Sequence, residues 1–328
     1  MRRDQPILMR RFPIGYATVV LCLAWSSSTL AAVEAPNSIG DVSVRNADRQ
    51  TPNVGATQAA ALALTTRYAA MRSQLANNAF NRPLVLESAQ SANSLKGEVY
   101  AVVPYAFPKL SDDLTSPQGW CAILNMHLNT KYCRADASAA STRLLVNLGE
   151  KMDQPLMSTF RIAFKWQVNA KNSEYMQVLL TAANGPLGTH DYRIALDGVP
   201  LASGDTFLRL SYSYGHGFAS KIAMETYLAT VARAKVGFTV SGLKDGVPTY
   251  VGGMRGLVER NTMRYHLAIE SFLGAQAIAA PLRFEKRIND WINAVERYPR
   301  QLHEIEKPQY LEMKRRENQR QIQDDLGG

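Results

Sequence analysis

Cysteine is scarce in this chain, with three in 328 residues, too few for a scaffold built on disulfides. Several signatures are missing as well. There is no Gly-x-Ser-x-Gly elbow, no His-Glu-x-x-His helix, no phosphate-binding glycine loop and no dinucleotide fingerprint. Internal repeats and low-complexity segments are absent too. No apolar run reaches the ~20 residues that a membrane-spanning helix needs. What is present is an apolar share of 46%, enough for a substantial core, and 37 basic against 28 acidic side chains, a net charge of +9.

Part of that charge belongs to an address. Arg2, Arg3, Arg10 and Arg11 precede a largely uncharged run over 13–25, which ends in Ser26, Ser27, Ser28, Thr29, Leu30, Ala31 and Ala32. A basic start, a short apolar stretch and small closing residues make a secretory signal peptide, cut near Ala32. A retained anchor is the alternative, and Met9 is a second candidate start. Arg10-Arg11-Phe12 resembles a twin-arginine signal only loosely, and Cys22 follows Leu21 where lipoprotein processing wants a small residue. Removal of 1–32 leaves 33 basic against 27 acidic residues, a balance of +6 with no basic block, and two cysteines. Export to the periplasm or beyond also separates the chain from the chromosome, so no nucleic-acid partner is expected.

The mature chain opens with a polar, flexible lead over 33–55. The alanine-rich stretch 57–78, without Gly or Pro, predicts a helix. Residues 83–86 and 98–103 predict strands. Short helices follow over 108–114 and 117–128, with start signals at Ser111-Asp112-Asp113 and Thr115-Ser116-Pro117. Period-two alternation then recurs in 143–148, 159–168, 176–182, 192–196 and 208–214, and turn residues such as Asn184-Gly185-Pro186 and Asp197-Gly198 separate several of the strands. Short links imply antiparallel pairing. The covering elements are a helix near 218–233, a hairpin (236–240 and 248–251) around Lys244-Asp245-Gly246, and a helix over 254–273 with Val258, Tyr265, Ile269 and Phe272 on one stripe.

Strand 99–103, a proline-containing step, a helix and then Ser116-Pro117-Gln118-Gly119-Trp120 resemble the opening of START-like domains, the helix-grip superfamily of lipid-transfer proteins and polyketide cyclases. The resemblance spans about 95–275. It implies an α+β fold in which a curved antiparallel sheet grips a long C-terminal helix around an apolar cavity. Around it lie a leading segment with a helix and first strand (33–94) and a charged helical tail (276–328). In that tail Phe284, Ile288, Trp291, Val295, Tyr298, Leu302 and Ile305 form an amphipathic seam broken at Pro299. The seam either packs back on the domain, the favoured reading, or gives residues 282–306 a protein partner. From Pro308 the polar tail is expected to fray.

Cys121 and Cys133 are close enough in sequence to be bridged in an oxidising compartment, a loop closure worth roughly 3 kcal/mol. His127 midway makes Cys-x5-His-x5-Cys, which matches no common zinc spacing. Ser241-Gly242-Leu243-Lys244 has the Ser-x-x-Lys pattern, but on a turn rather than a helix. No residue pair stands out as a catalytic unit, and neither a metal nor a cofactor is expected. A hydrolase or cyclase-like enzyme with His127 or His216 as base remains an alternative. The inward aromatics Phe160, Phe164, Trp166, Tyr212 and Tyr214 are candidates to line a cavity for a hydrophobic or lipid-like molecule, and a filled sheet whose buried aromatic edge has its hydrogen bonds satisfied fits the same alternation. His216, Arg260 and Arg264 are candidates for its polar head, although those arginines have a structural alternative in a neighbouring acid. Membrane contact is open, though not as an integral protein.

Overall fold

Alternation of apolar and polar side chains obliges an extended chain to present one dry face, and the computed structural model builds that face from eight strands. The structure describes residues 54–137, 141–218, 221–222, 224–226 and 234–327. The expected signal segment lies outside them, as does much of the helix expected near 218–233.

The strands are β1 (Leu84–Gln90), β2 (Ser94–Val103), β3 (Thr130–Ala137), β4 (Thr142–Leu148), β5 (Phe160–Lys171), β6 (Met176–Asn184), β7 (Thr189–Pro200) and β8 (Thr206–His216). Their order is β1-β2-β8-β7-β6-β5-β4-β3, antiparallel throughout. The sheet is curved and does not close. Between β2 and β3 come α2 (Phe107–Leu114) and α3 (Pro117–Met126), and after the sheet come a small hairpin, β9 (Val240–Lys244) and β10 (Val247–Tyr250), and the long α4 (Gly253–Gly274). This is the α+β arrangement of a sheet gripping a late helix. Flanking it are α1 (Val54–Ala76) and, at the other end, α5 (Arg283–Val295), α6 (Pro299–Leu302) and α7 (Lys307–Gly327).

Local chemistry explains several boundaries. Ser116 caps α3 by accepting the Gly119 N–H at 3.2 Å, and Pro117 occupies the first turn. Trp120 is fully buried and donates its indole N–H to the Leu114 carbonyl at 2.8 Å, which locks α2 to α3. Cys121 and Cys133 are bridged, with Cα atoms 5.2 Å apart, so the end of α3 is tied to the strand that leaves it. The hairpin turn uses Asp245 and Gly246, both at positive φ, as a two-residue turn demands, so Ser241-Gly242-Leu243-Lys244 lies along β9 rather than on the turn expected for it, and the first strand begins at Val240 rather than at 236.

Three further expectations need correction. Asp197-Gly198 is no turn but lies inside β7. Asp197 is buried there and accepts hydrogen bonds from the Tyr175 hydroxyl (2.5 Å), Gln177 Nε2 (2.6 Å) and the Arg209 guanidinium (2.9 and 3.1 Å). Four donors compensate the carboxylate that composition alone would put in solvent. Secondly, Phe160 does not line the interior, because at the head of β5 it is 39% exposed. The third correction concerns the tail. Rather than fraying it forms α7, which buries Tyr310, Met313, Lys314 and Glu317.

The inner face is covered by α2, α3 and α4. The outer face receives α1, whose Leu64, Met71 and Leu75 pack on Tyr100, Val199 and Phe207. On the inner side α4 rests on β2, β1 and β8. Contact is closest at Gly97, where an added Cβ would fall on the Thr262 hydroxyl and lie 3.3 Å from the Val258 carbonyl oxygen. That hydroxyl is itself held by the Val258 carbonyl at 2.7 Å, so it cannot swing aside without loss. Gly97→Ala is therefore expected to cost about 1–3 kcal/mol in chemical denaturation. Adding Thr262→Ala should restore most of it. Wild-type stability in the single variant would mean that α4 does not depend on this approach.

Candidate functional site

β8 and its neighbours carry aromatic residues on the inner face at alternate positions, a direct outcome of the period-two pattern. Phe164 of β5, Tyr192 of β7 and Tyr212 and Tyr214 of β8 are all buried. Tyr192 stacks on Tyr214 with centroids 5.2 Å apart and meets Phe164 edge-on at 6.4 Å. From α4, Tyr265 reaches down to Tyr212 at 5.4 Å and stacks on His127 at 5.0 Å. Burial pushes the Tyr212, Tyr214 and Tyr265 phenols above their ordinary range, so all three are neutral hydroxyls. Tyr192 is raised for the same reason, and its hydroxyl is 2.7 Å from that of Thr189.

Polar groups of this interior lack partners. Both ring nitrogens of His216 are buried, and neither has a hydrogen-bond partner among the described residues. The same holds for Trp166 Nε1 on β5 and for His127 Nε2. His127 Nδ1 accepts the Asn129 N–H at 3.2 Å, which places the ring proton on Nε2. Burial, reinforced by Arg264, Lys314, Lys151 and Lys131, holds that imidazole well below its ordinary pKa. His127 is therefore a neutral imidazole with its proton on Nε2.

The arginines behave differently from the aromatics. Arg264 is buried, donates to Glu304 Oε1 at 2.9 Å and to the Leu302 carbonyl at 3.2 Å, and is thereby joined to the segment after α6. Glu304 also meets Lys151 at 2.8 Å and Lys235 at 3.6 Å. Arg260 is 2% exposed and lies close enough to Tyr214 to act on it electrostatically. Glu259 collects the N–H groups of Phe238 and Thr239 and the hydroxyls of Thr239 and Ser88, with Arg255 3.8 Å away. The structure thus brings together Phe164, Tyr212 and Tyr214, sets Trp166 and His216 on the same face, and gives Arg264 the acidic neighbour that was its structural alternative. Tyr192, Tyr265 and His127 complete the aromatic group. Alternation in β7 and the stripe of α4 foreshadow the first two, while nothing local marks His127.

Behind α3 stands a second polar group. α7 seals the carboxyl end of α3, where backbone carbonyls have no helical partners. Tyr310 donates to the Met126 carbonyl at 2.9 Å, and Lys314 to those of His127 and Thr130 at 2.8 and 2.9 Å. Lys131 donates to the Leu128 carbonyl at 2.9 Å. Both ammonium groups share Glu317, at 3.1 Å from Lys131 and 2.7 Å from Lys314. Burial pulls both lysines below their ordinary pKa, and Glu317 pulls back. The seam of residues 282–306 is likewise spent inside the chain, with Ile288, Trp291, Val295, Leu302 and Ile305 buried. Among the described residues no group of three or more His, Cys, Asp or Glu is placed to hold a metal ion, and no helix is long and apolar enough to cross a membrane.

No protein-family model matches this chain, and no curated protein matches it. Solved structures that it resembles include a START domain, human StAR-related lipid transfer protein 5, at 10% identity and a TM-score of 0.28, covering 74% of this chain and 99% of that one. A conserved protein of unknown function from Enterococcus faecalis aligns at 10% identity and a TM-score of 0.31, covering 69% and 96%. CalU16 from Micromonospora echinospora aligns at 9% identity and a TM-score of 0.29, covering 65% and 97%.

The shared carboxylate of Glu317 makes a direct prediction. Glu317→Gln leaves two buried ammonium groups without a counter-charge, an effect of about 3–5 kcal/mol. Urea denaturation should show that loss, and limited proteolysis should now cut within 307–327. Unchanged stability and protease resistance would show that α7 is held by something else.

Proposed function

We propose that this chain is an exported protein that binds a hydrophobic, lipid-like small molecule between the inner face of the sheet and α4. The observation that carries the reading is the set of buried polar groups without a partner among the described residues on an otherwise aromatic wall: both nitrogens of His216, Trp166 Nε1 and the Nε2 of His127. Native interiors leave few such groups unsatisfied, because each costs about 1–3 kcal/mol. A ligand carrying hydroxyl or carbonyl oxygens on an apolar body would satisfy them once the rings packed over them move apart. Tyr265 adds a half-buried ring to that wall, stacked on His127 and edge-on to Tyr212.

The polar end of the ligand is then met by tyrosine hydroxyls and histidine nitrogens, with Arg260 behind Tyr214. Arg264 is drawn away by Glu304. Phe164, Trp166, Tyr212 and Tyr214 supply the apolar contact. Export is supported by the amino-terminal basic and apolar sequence and by the Cys121–Cys133 bridge, which persists where the surroundings are oxidising.

Titration with the neutral fluorophore Nile red tests the site. Ala182 is paired with Tyr192 in mid-sheet. Ala182→Phe should fill the space beside that ring and weaken dye binding at least tenfold while the circular dichroism spectrum stays that of the wild type. Undiminished binding in a folded Ala182→Phe variant would remove the grip interior as the site.

A further inference from the structure

A cavity of about 420 Å³ opens outside the grip, between α3, β3, α5 and α7. Its apolar wall comprises Ala122, Met126, Phe284, Ile288 and the Cys121–Cys133 bridge. Its charge is lopsided. Lys131, Arg134, Arg287 and Lys314 line it against a single carboxylate, Glu317. Glu317 is already spent, one oxygen on each lysine, and the lysines in turn donate to backbone carbonyls. That leaves the two arginines. Among the described residues neither has a carboxylate within ion-pair distance. Arg287 is half-buried, its guanidinium lies 5.2 Å over the Phe272 ring, and its Nε is buried with no hydrogen-bond partner among the described residues, whereas Arg134 is exposed. A desolvated guanidinium facing an excess of positive charge is a receptor for an anion, and its planar fork suits a carboxylate.

We propose that this cavity binds a small organic carboxylate with an apolar body, its carboxylate between Arg287 and Arg134 and its body against Ala122, Met126, Phe284 and Ile288. The volume fits such a molecule, since small-ligand pockets span about 300–1,000 Å³. The apolar wall sets it apart from a site for a bare inorganic anion, which would leave Met126, Phe284 and Ile288 without contact. None of the groups assigned to the grip ligand lines this cavity.

Isothermal titration of the full mature chain with sodium octanoate, with inorganic phosphate as the second arm, tests it. One octanoate per chain should bind, and phosphate at least tenfold more weakly. Arg287→Gln should weaken octanoate at least tenfold. Ala122→Trp, which fills the cavity and leaves every charge in place, should abolish binding. Nile red uptake should stay unchanged in both variants, so a failure of the grip site and a failure of this one are read separately. If Arg287→Gln does not fold, Ala122→Trp alone decides. Octanoate binding that survives Ala122→Trp, no octanoate binding in the wild type, or phosphate binding as tightly as octanoate would each overturn the proposal.

Discussion

The close approach of α4 to β2 at Gly97 is the constraint from which the rest of the architecture follows. A sheet with one apolar face must be covered, and here the covering helix settles on the β1–β2–β8 side because a strand residue without a side chain lets Thr262 and Val258 descend onto it. With the helix at that side, the inner faces of β5, β6 and β7 are met by long side chains rather than by backbone. Phe164, Tyr192, Tyr212 and Tyr214 reach across from the sheet, and Tyr265 and His127 reach back. The result is an interior of rings with polar tips, which differs from a plain aliphatic core in having hydrogen-bonding capacity to spare.

The additions on both flanks relieve specific deficits of that central unit. α1 lays three apolar residues on the outer face, where Tyr100, Val199 and Phe207 would otherwise be wet. α5 turns its Trp291 seam to α4 and donates the Trp291 indole N–H to the Arg264 carbonyl. The role of α7 is electrostatic as much as apolar, since Tyr310, Lys131 and Lys314 satisfy the carbonyls that α3 leaves behind, and one glutamate balances the two ammonium groups. Together with the disulfide this fixes α3 at both its end and its exit, and the basic cavity opens against the same helix.

Much of this is legible in the amino-acid sequence. Strict alternation marks β4 to β8, and the order of strand, two helices, sheet and long helix carries the START-like resemblance and with it the grip. The cysteine pair is readable from its spacing together with the expectation of export. Other parts are hidden for physical reasons. β3 contains Thr130, Lys131, Cys133 and Ala135 on the side that meets the core or α7, and no apolar period survives such a set. Asp197 sits mid-strand because four donors meet it there, and none is adjacent in sequence. α7 reads as a polar tail because half of its buried stripe, Tyr310, Met313, Lys314 and Glu317, is charged. For the site the pattern identifies the right strand faces, but it does not reveal that Glu304, forty residues on, claims Arg264. Nor does it reveal that an end-of-helix histidine joins the aromatic group.

The occupant we propose between the sheet and α4 is a hydrophobic ligand. Native mass spectrometry of protein purified from its own source, followed by organic extraction, tests this most directly. The account predicts a stoichiometric mass increment that disappears on extraction and belongs to a hydrophobic molecule with oxygen-bearing groups. A clean apo mass in protein that has not been extracted would contradict it.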